Sequence, residues 1–103
     1  MAKFIVLHEY KGDPDQSWKD LSTPEGTKDW AMANASGSWP AKCISSWYPY
    51  KYGRKEFFCF CLWEGKSVED VKTSLGELLN YVTGDIFQVD EIVWAEFVKK
   101  GAA

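Results

Sequence analysis

The fold is decided by two stretches of sequence, CISSWY at residues 43–48 and FFCFCLW at residues 57–63. Both predict β-strands, and the polar residues 51–55 between them include Gly53, which suits a hairpin turn. Successive side chains of a strand point to opposite faces. The second stretch therefore has two apolar faces, formed by Phe57, Cys59, Cys61 and Trp63 and by Phe58, Phe60 and Leu62. This pattern predicts a strand that is covered on both sides.

Residues 3–10 predict another strand that is apolar on both sides for most of its length. Its two faces are formed by Phe4, Val6, His8 and Tyr10 and by Ile5, Leu7 and Glu9. Residues 15–36 then predict a helical region with a break. The helix restarts where Thr23 is an N-cap and Pro24 takes the first helical position. We expect the core-facing residues of this region to be Trp30, Ala31, Ala33 and Ala35, and Gly37 to end it.

The second half of the chain contains the clearest helix. Ser67 is its N-cap, and Asp70, three residues later, completes a capping box of the weaker, aspartate kind. Apolar residues follow at helical spacing, at positions 68, 71, 75, 78, 79 and 82. We expect Gly84 to end this helix and a last strand to span residues 86–98.

The order strand, helix, strand, strand, helix, strand predicts a single α+β domain over residues 1–103 with the ferredoxin-like βαββαβ arrangement. The antiparallel sheet then has the order 4-1-3-2, with both helices on one face. Strands 1 and 3 are central, and they are the two strands with two apolar faces. The face without helices is therefore expected to be apolar, and a homodimer would cover it. Two such sheets packed face to face form an α+β barrel.

Composition excludes several classes of partner. The net charge is −3 and the pI is near 5.1, whereas binding to nucleic acid requires an excess of Lys and Arg on one face. Apolar runs are too short for a transmembrane helix, and the apolar part of residues 1–8 is too short for a signal peptide. We therefore expect no nucleic-acid or membrane partner. The three cysteines are an odd number, and we expect them to be reduced thiols in a cytoplasmic protein.

His8 is the only histidine and the first candidate for chemistry. The end of strand 1 lies beside the start of strand 3 in the predicted sheet, so His8 is within reach of Cys59. The set His8, Cys59 and Cys61 could bind zinc, nickel or copper, or His8 could activate a thiol as a base. The alternative is that His8 packs at the end of the sheet with one hydrogen bond, and that the cysteines are small buried hydrophobes.

One consideration counts against a metal. Cys59 and Cys61 are two residues apart on a rigid strand, and this separation is expected to hold their sulfurs too far apart to be ideal for one ion. Cys43, on the neighbouring strand, could join them if it shares their face, but the sequence does not fix the register.

Aromatic residues with polar groups supply candidates for a ligand-binding site. These candidates are Trp47, Tyr48, Tyr50 and, on the neighbouring strand, Cys59. Such aromatic residues occur both at dimer interfaces and in small-molecule pockets. The sequence therefore predicts a protein that binds a small ligand or metal. One alternative is a cofactor-independent enzyme in which His8 is the catalytic acid or base and Trp47 and Tyr48 shape the pocket. Another is an interaction module that associates without any ligand.

The run from CISSWY through GRK at residues 53–55 and FFCFCLWE to SVEDV at residues 67–71 resembles small dimeric α+β-barrel families of bacterial proteins. One such group includes a nickel-responsive, nickel-binding protein, so the resemblance implies nickel binding. The same superfamily includes cofactor-independent monooxygenases and small isomerases that act on aromatic or polyketide-like substrates. The tryptophan-containing segment at residues 13–36 departs from these families.

Overall fold

Four strands and four α-helices make up the computed structural model, which describes residues 1–49 and 58–100. Their bounds, in chain order, are β1 (Ala2–His8), α1 (Pro14–Leu21), α2 (Pro24–Ser36), β2 (Lys42–Trp47), β3 (Cys59–Gly65), α3 (Val68–Leu75), β4 (Asp85–Val89) and α4 (Trp94–Lys99). A 3₁₀ helix at Gly76–Asn80 directly follows α3. The predicted hairpin turn at residues 51–55 lies outside the described residues.

The sheet has the order β2-β3-β1-β4 with every neighbouring pair antiparallel. This is the predicted 4-1-3-2 order read in reverse, so the α+β, ferredoxin-like fold class is confirmed. The central pair is in simple register, with Phe4 opposite Trp63, Val6 opposite Cys61 and His8 opposite Cys59. Only the edge pair β2–β3 is irregular, with a bulge between Cys43 and Ser45.

The core lies between the sheet and the helices. One of the two predicted faces of each central strand forms it, and on these faces Phe4, Val6, His8 and Trp63 are fully or almost fully buried. Val71 and Leu75 on α3 complete it. The helix α2 is attached to β2 by Asn34, whose side-chain amide donates to the carbonyl of Cys43 and whose side-chain oxygen accepts from its N–H, both at 2.9 Å.

The predicted helix starts and stops are largely confirmed. The Thr23 hydroxyl accepts a hydrogen bond from the N–H of Gly26, and the Ser67 hydroxyl accepts one from the N–H of Asp70. Gly37 ends α2 with φ of 74°, a left-handed conformation that glycine adopts without steric cost. The expectation was wrong for Ala31 and Ala35, which are exposed, whereas Ala33 is half-buried. Alternate positions do not share a helix face, which repeats every three to four residues.

Two predicted boundaries were also wrong. The α-helix that begins after Ser67 ends at Leu75, because Gly76 adopts φ of 52° and the chain continues as a 3₁₀ helix. The predicted strand over residues 86–98 ends at Val89, and Trp94–Lys99 forms a helix instead. The apolar residues Trp94, Phe97 and Val98 are spaced i, i+3 and i+4, which places them on one side of a helix.

The sheet face without helices is apolar, as predicted. We call it the open face, and its apolar residues are Ile5, Leu7, Trp47, Phe60, Leu62 and Phe87. They are cross-strand neighbours, since Leu7 pairs with Phe60 and Ile5 pairs with both Leu62 and Phe87. The Trp47 and Phe60 rings are stacked with centroids 5.2 Å apart. The open face is therefore one continuous apolar surface.

Candidate metal centre and adjoining cavity

The strand register brings together the three residues that the sequence suggested as metal ligands. His8 is directly opposite Cys59, and Cys61 follows two residues later on the same face of β3. The nitrogen and sulfur atoms that these residues offer as ligands all lie within 4.8 Å of one another, and all three residues are buried. We call this set the His8–Cys59–Cys61 cluster. It lies on the helix-covered side of the sheet, near the end of β1.

The objection that the two sulfurs are too far apart was wrong. The sulfurs of Cys59 and Cys61 are 3.6 Å apart, although the residues are alternate positions of one strand. A zinc–sulfur bond of about 2.3 Å and a tetrahedral angle place two sulfur ligands about 3.8 Å apart. The side chains therefore lean toward one another far enough to share one ion. All three cysteines are free, as expected.

Thr83 determines which nitrogen of His8 is available. Its carbonyl oxygen lies 2.5 Å from Nδ1 of His8, and a carbonyl only accepts, so Nδ1 carries the proton and donates. The other ring nitrogen, Nε2, is buried and has no hydrogen-bond partner among the described residues. Burial lowers the pKa of His8, although the Thr83 hydrogen bond and the charge of Asp85 oppose this effect. The ring is therefore neutral at pH 7, and Nε2 presents an unshared lone pair.

Cys43 and Ser46 surround the sulfur of Cys61. The Ser46 hydroxyl is 3.1 Å from this sulfur, and Cys43 is buried beside it. The hydrogen bond to Cys43 lowers the pKa of Cys61, but the hydrogen bond to Cys59 and burial outweigh it and raise that pKa to about 12. The hydrogen bond to Cys61 and burial raise the pKa of Cys43 as well. The Cys61 thiol therefore keeps its proton at neutral pH until something displaces it.

A cavity of about 190 Å³ adjoins the cluster. His8, Cys59 and Cys61 form part of its wall, and most of the rest is apolar or aromatic, contributed by Leu21, Trp30, Tyr48, Phe58, Trp63 and Leu78. The aromatic rings pack on one another: Tyr48 meets Phe58 edge-on at 5.4 Å, and Trp30 meets Trp63 edge-on at 6.3 Å. The indole N–H of Trp63 is buried and has no hydrogen-bond partner in the described ranges.

The candidate ligand-binding residues separate into two groups. Cys59 and Tyr48 line the cavity. Trp47 lies on the other side of the sheet, where it stacks on Phe60 and is 45% exposed. Tyr50 lies outside the described residues. The structure thus brings His8, Cys59, Cys61 and Tyr48 together around one space and places Trp47 on the open face.

Sequence reasoning missed three contributors to this site. Trp63 could have been found, since it shares a strand face with Cys59 and Cys61. Trp30 was expected to face the core, but nothing indicated that it borders a cavity. Thr83 contributes through its backbone carbonyl, 75 residues from His8 along the chain, so no side-chain pattern could have revealed it.

None of the helices in residues 1–49 and 58–100 combines the length and the apolar composition needed to cross a lipid bilayer. Comparisons with models of protein families, with curated proteins and with solved structures find no match to this chain. What it demonstrably shares with the small α+β-barrel families is an α+β fold with a four-stranded antiparallel sheet.

Proposed function

We propose that this protein binds a transition-metal ion through His8, Cys59 and Cys61. The observation that carries the proposal is the buried Nε2 of His8, which has no hydrogen-bond partner in the described part of the chain. A ring nitrogen of His8 and the two cysteine sulfurs lie within 4.8 Å of one another. A buried polar atom without a hydrogen bond costs about 1–3 kcal/mol, so a bound ion would remove a real penalty. The hydrogen bond from Nδ1 to Thr83 is the kind of contact that orients metal-binding histidines.

The distances support a tetrahedral ion. Ideal zinc geometry requires sulfurs about 3.8 Å apart and a nitrogen about 3.6 Å from each sulfur. The sulfurs are already 3.6 Å apart, and every pair of ligand atoms is within 4.8 Å. Closing the largest gap requires a movement of about 1 Å, which side-chain rotation supplies without moving the strands. All three residues are buried, which limits the contact of their ligand atoms with bulk water.

Two thiolates and one imidazole suit zinc, and nickel is the second metal we propose to test. Three protein ligands leave the fourth position of a tetrahedral ion open, which is the arrangement of catalytic rather than structural zinc sites. Because the cluster forms part of the cavity wall, this fourth position would be accessible to a small ligand. We therefore propose a metal site that binds a second molecule, not one that only stabilises the fold.

The experiment is native mass spectrometry after exposure to zinc or nickel. We expect one retained ion in the wild-type protein and none in the variants His8→Gln, Cys59→Ser and Cys61→Ser. Cys43→Ser is the matched control, since Cys43 is also a buried free thiol but is not part of the cluster. Retention that does not depend on the three cluster residues, or no retention in any protein, would refute the proposal.

The cavity favours one alternative function, a cofactor-independent enzyme of the monooxygenase or isomerase kind acting on a small aromatic substrate. His8 and Tyr48 both border the cavity, and the free Nε2 of a neutral histidine can accept a proton. In this reading His8 is the catalytic base and no ion is needed. The same mass-spectrometry experiment separates the two functions. A metal ion bound to Nε2 would block its action as a base, so the alternative requires a protein that retains no metal.

We also propose that the protein is a homodimer that packs open face against open face. Large continuous apolar surfaces are uncommon on monomers, and a two-fold homodimer is the commonest way to cover them. The stacked Trp47 and Phe60 rings on β2 and β3, extended to β4 by Phe87, would form the centre of the contact. Trp94 and Val98 on α4 are exposed as well and could extend it.

A further inference from the structure

The cavity beside the cluster has the size of one aromatic ring. A cavity of about 150 Å³ lined by leucine, isoleucine and phenylalanine is known to admit benzene. The present cavity measures about 190 Å³ and has comparable walls, with Leu21, Phe58 and Leu78 among them. It is smaller than the pockets of roughly 300–1,000 Å³ that hold drug-sized molecules. A single ring with one small substituent fits this space more easily than a fused pair of rings.

Two buried polar atoms that have no hydrogen-bond partner within residues 1–49 and 58–100 indicate where the polar group of such a ligand would lie. Nε2 of His8 and the indole N–H of Trp63 both belong to fully buried residues that line the cavity. In the metal-bound protein, Nε2 would bind the ion and would no longer be available to the ligand. A donor atom of the ligand would instead bind the open position of the ion. The Trp63 N–H is a donor only, so it requires an acceptor. An oxygen atom on the ligand meets either requirement.

The charge of the site decides between neutral and anionic ligands. A divalent ion with two thiolates and a neutral imidazole has no net charge. An anion would therefore add an uncompensated negative charge to a largely apolar cavity, which is unfavourable. Among the described residues that line the cavity, none is a lysine or an arginine. The ligand is therefore expected to be uncharged.

We infer that the cavity binds a neutral, single-ring aromatic molecule with one oxygen substituent, such as an aromatic alcohol or aldehyde, whose oxygen takes the open position on the metal. This inference rests on the proposed metal site and names the class of molecule that the site receives. The ring contacts the apolar walls formed by Trp30, Phe58 and Leu78. Binding forms one coordinate bond from oxygen to metal and involves no transfer of electrons or protons.

The test uses the full chain loaded with cobalt(II), whose visible spectrum reports changes in its ligands, and begins with native mass spectrometry of the loaded protein. Benzyl alcohol, toluene, benzoate and 1-naphthalenemethanol are then titrated separately. We expect benzyl alcohol to change the cobalt spectrum and to bind about tenfold more tightly than toluene, which corresponds to about 1.4 kcal/mol. Benzoate, which is charged, and the two-ring alcohol should bind more weakly than benzyl alcohol.

Two variants connect the binding to the cavity. Trp63→Phe removes the indole N–H, so it should weaken the binding of benzyl alcohol but not the binding of toluene. Because Trp63 is fully buried and its substitution can destabilise the fold, Leu78→Phe supplies a second test at a partly buried position. Leu78→Phe should fill the cavity, so that cobalt is retained and neither ring compound binds.

The outcomes distinguish this inference from the proposed function. The inference is supported if the protein retains cobalt and benzyl alcohol changes the cobalt spectrum of the wild type but not that of Leu78→Phe. Retained cobalt with no response to benzyl alcohol, or with equal or tighter binding of benzoate, overturns the inference and leaves the metal site intact. Failure to retain any of cobalt, zinc and nickel overturns both.

Discussion

Nδ1 of His8 donates a hydrogen bond to the carbonyl oxygen of Thr83 across 2.5 Å. This contact orients the ring and leaves Nε2 as the nitrogen that has no hydrogen-bond partner among the described residues. The contact joins the end of β1 to the segment that precedes β4. It therefore attaches the candidate metal centre to the sheet edge opposite β2. The hydrogen bond sets the tautomer, whereas burial lowers the pKa of the ring. The lowered pKa leads to a prediction for stability.

The stability of the metal-free protein should decrease as the pH falls below about 6.5, the ordinary pKa of histidine. Burial lowers the pKa of His8 in the folded state, so the unfolded chain takes up a proton first. Below pH 6.5 the free energy of unfolding should fall by up to about 1.4 kcal/mol per pH unit, until the pH reaches the lowered pKa of His8 in the folded state. Urea unfolding at pH 7.5 and 5.5, with a chelator present, measures this difference.

His8→Gln is the control for this pH effect, because glutamine does not titrate in this range. The variant should lose the part of the pH dependence between 7.5 and 5.5 that comes from His8, although its stability at pH 7.5 is also expected to change. An equal pH dependence in the two proteins would show that His8 is not buried in the neutral form.

Metal binding should release protons and become tighter as the pH rises. The pKa of Cys61 is raised to about 12 in the metal-free protein, and cysteine binds metals as the thiolate. Each ion must therefore displace at least the Cys61 proton. His8 does not add to the effect above its lowered pKa. For every proton displaced, affinity for zinc should rise about tenfold per pH unit.

Calorimetric zinc titrations in two buffers of different ionisation enthalpy count the released protons. Cys43→Ser should release the same number as the wild type if Cys43 only packs beside the cluster. Zinc binding without proton release would mean that Cys61 is not a ligand.

Asn34 provides a test of how α2 is held against the sheet. Its side chain makes two hydrogen bonds with the backbone of Cys43, both at 2.9 Å. Asn34→Ala leaves the N–H and the carbonyl of Cys43 without these partners, which should lower the free energy of unfolding by about 1–3 kcal/mol. Urea denaturation measures the change. Asn80→Ala, at an exposed position, should change stability by less than about 0.5 kcal/mol. If the two variants lose the same free energy of unfolding, the hydrogen bonds of Asn34 do not hold α2 against the sheet.

The sheet could be predicted from sequence because its central strands have unambiguous patterns. Each of β1 and β3 has apolar residues on both of its faces, and a central position in the sheet explains this pattern. The segment after Val89 could not be predicted in the same way. Val93, Trp94 and Phe97 have high strand propensity, yet the spacing of Trp94, Phe97 and Val98 equally fits a helix. Propensity alone does not choose between the two for a short apolar run.

The candidate site could be predicted only in part. Its three residues followed from strand pairing, since the end of β1 must lie beside the start of β3. The distance between sulfurs did not follow, because the strand repeat fixes Cα positions whereas the side-chain torsions fix Sγ positions. The 3.6 Å separation of the Cys59 and Cys61 sulfurs depends on those torsions. The cavity depends on how α1 and α2 pack, and the sequence pattern gives no information on that packing.

Phe60→Asp should convert the proposed homodimer to a folded monomer. Phe60 lies at the centre of the open face, opposite Leu7 on β1 and Trp47 on β2, and a carboxylate there would be buried in the dimer without a partner. Substitutions at interface centres commonly cost 2 kcal/mol or more, so dimer affinity should fall about 30-fold or further. Because Phe60 is 37% exposed in the single chain, the monomer should tolerate the change.

Sedimentation velocity measures the association state of this variant, and far-ultraviolet circular dichroism measures its fold. Met32→Asp is the matched control, since Met32 is a 62% exposed apolar residue on α2, away from the open face. The control should remain dimeric with an unchanged spectrum. A wild-type protein that sediments as a monomer would refute the homodimer, because the open face would then be exposed to water without a second copy. A Phe60→Asp protein that stays dimeric would instead place the interface on another surface, and exposed Trp94 and Val98 on α4 make that helix the next position to test.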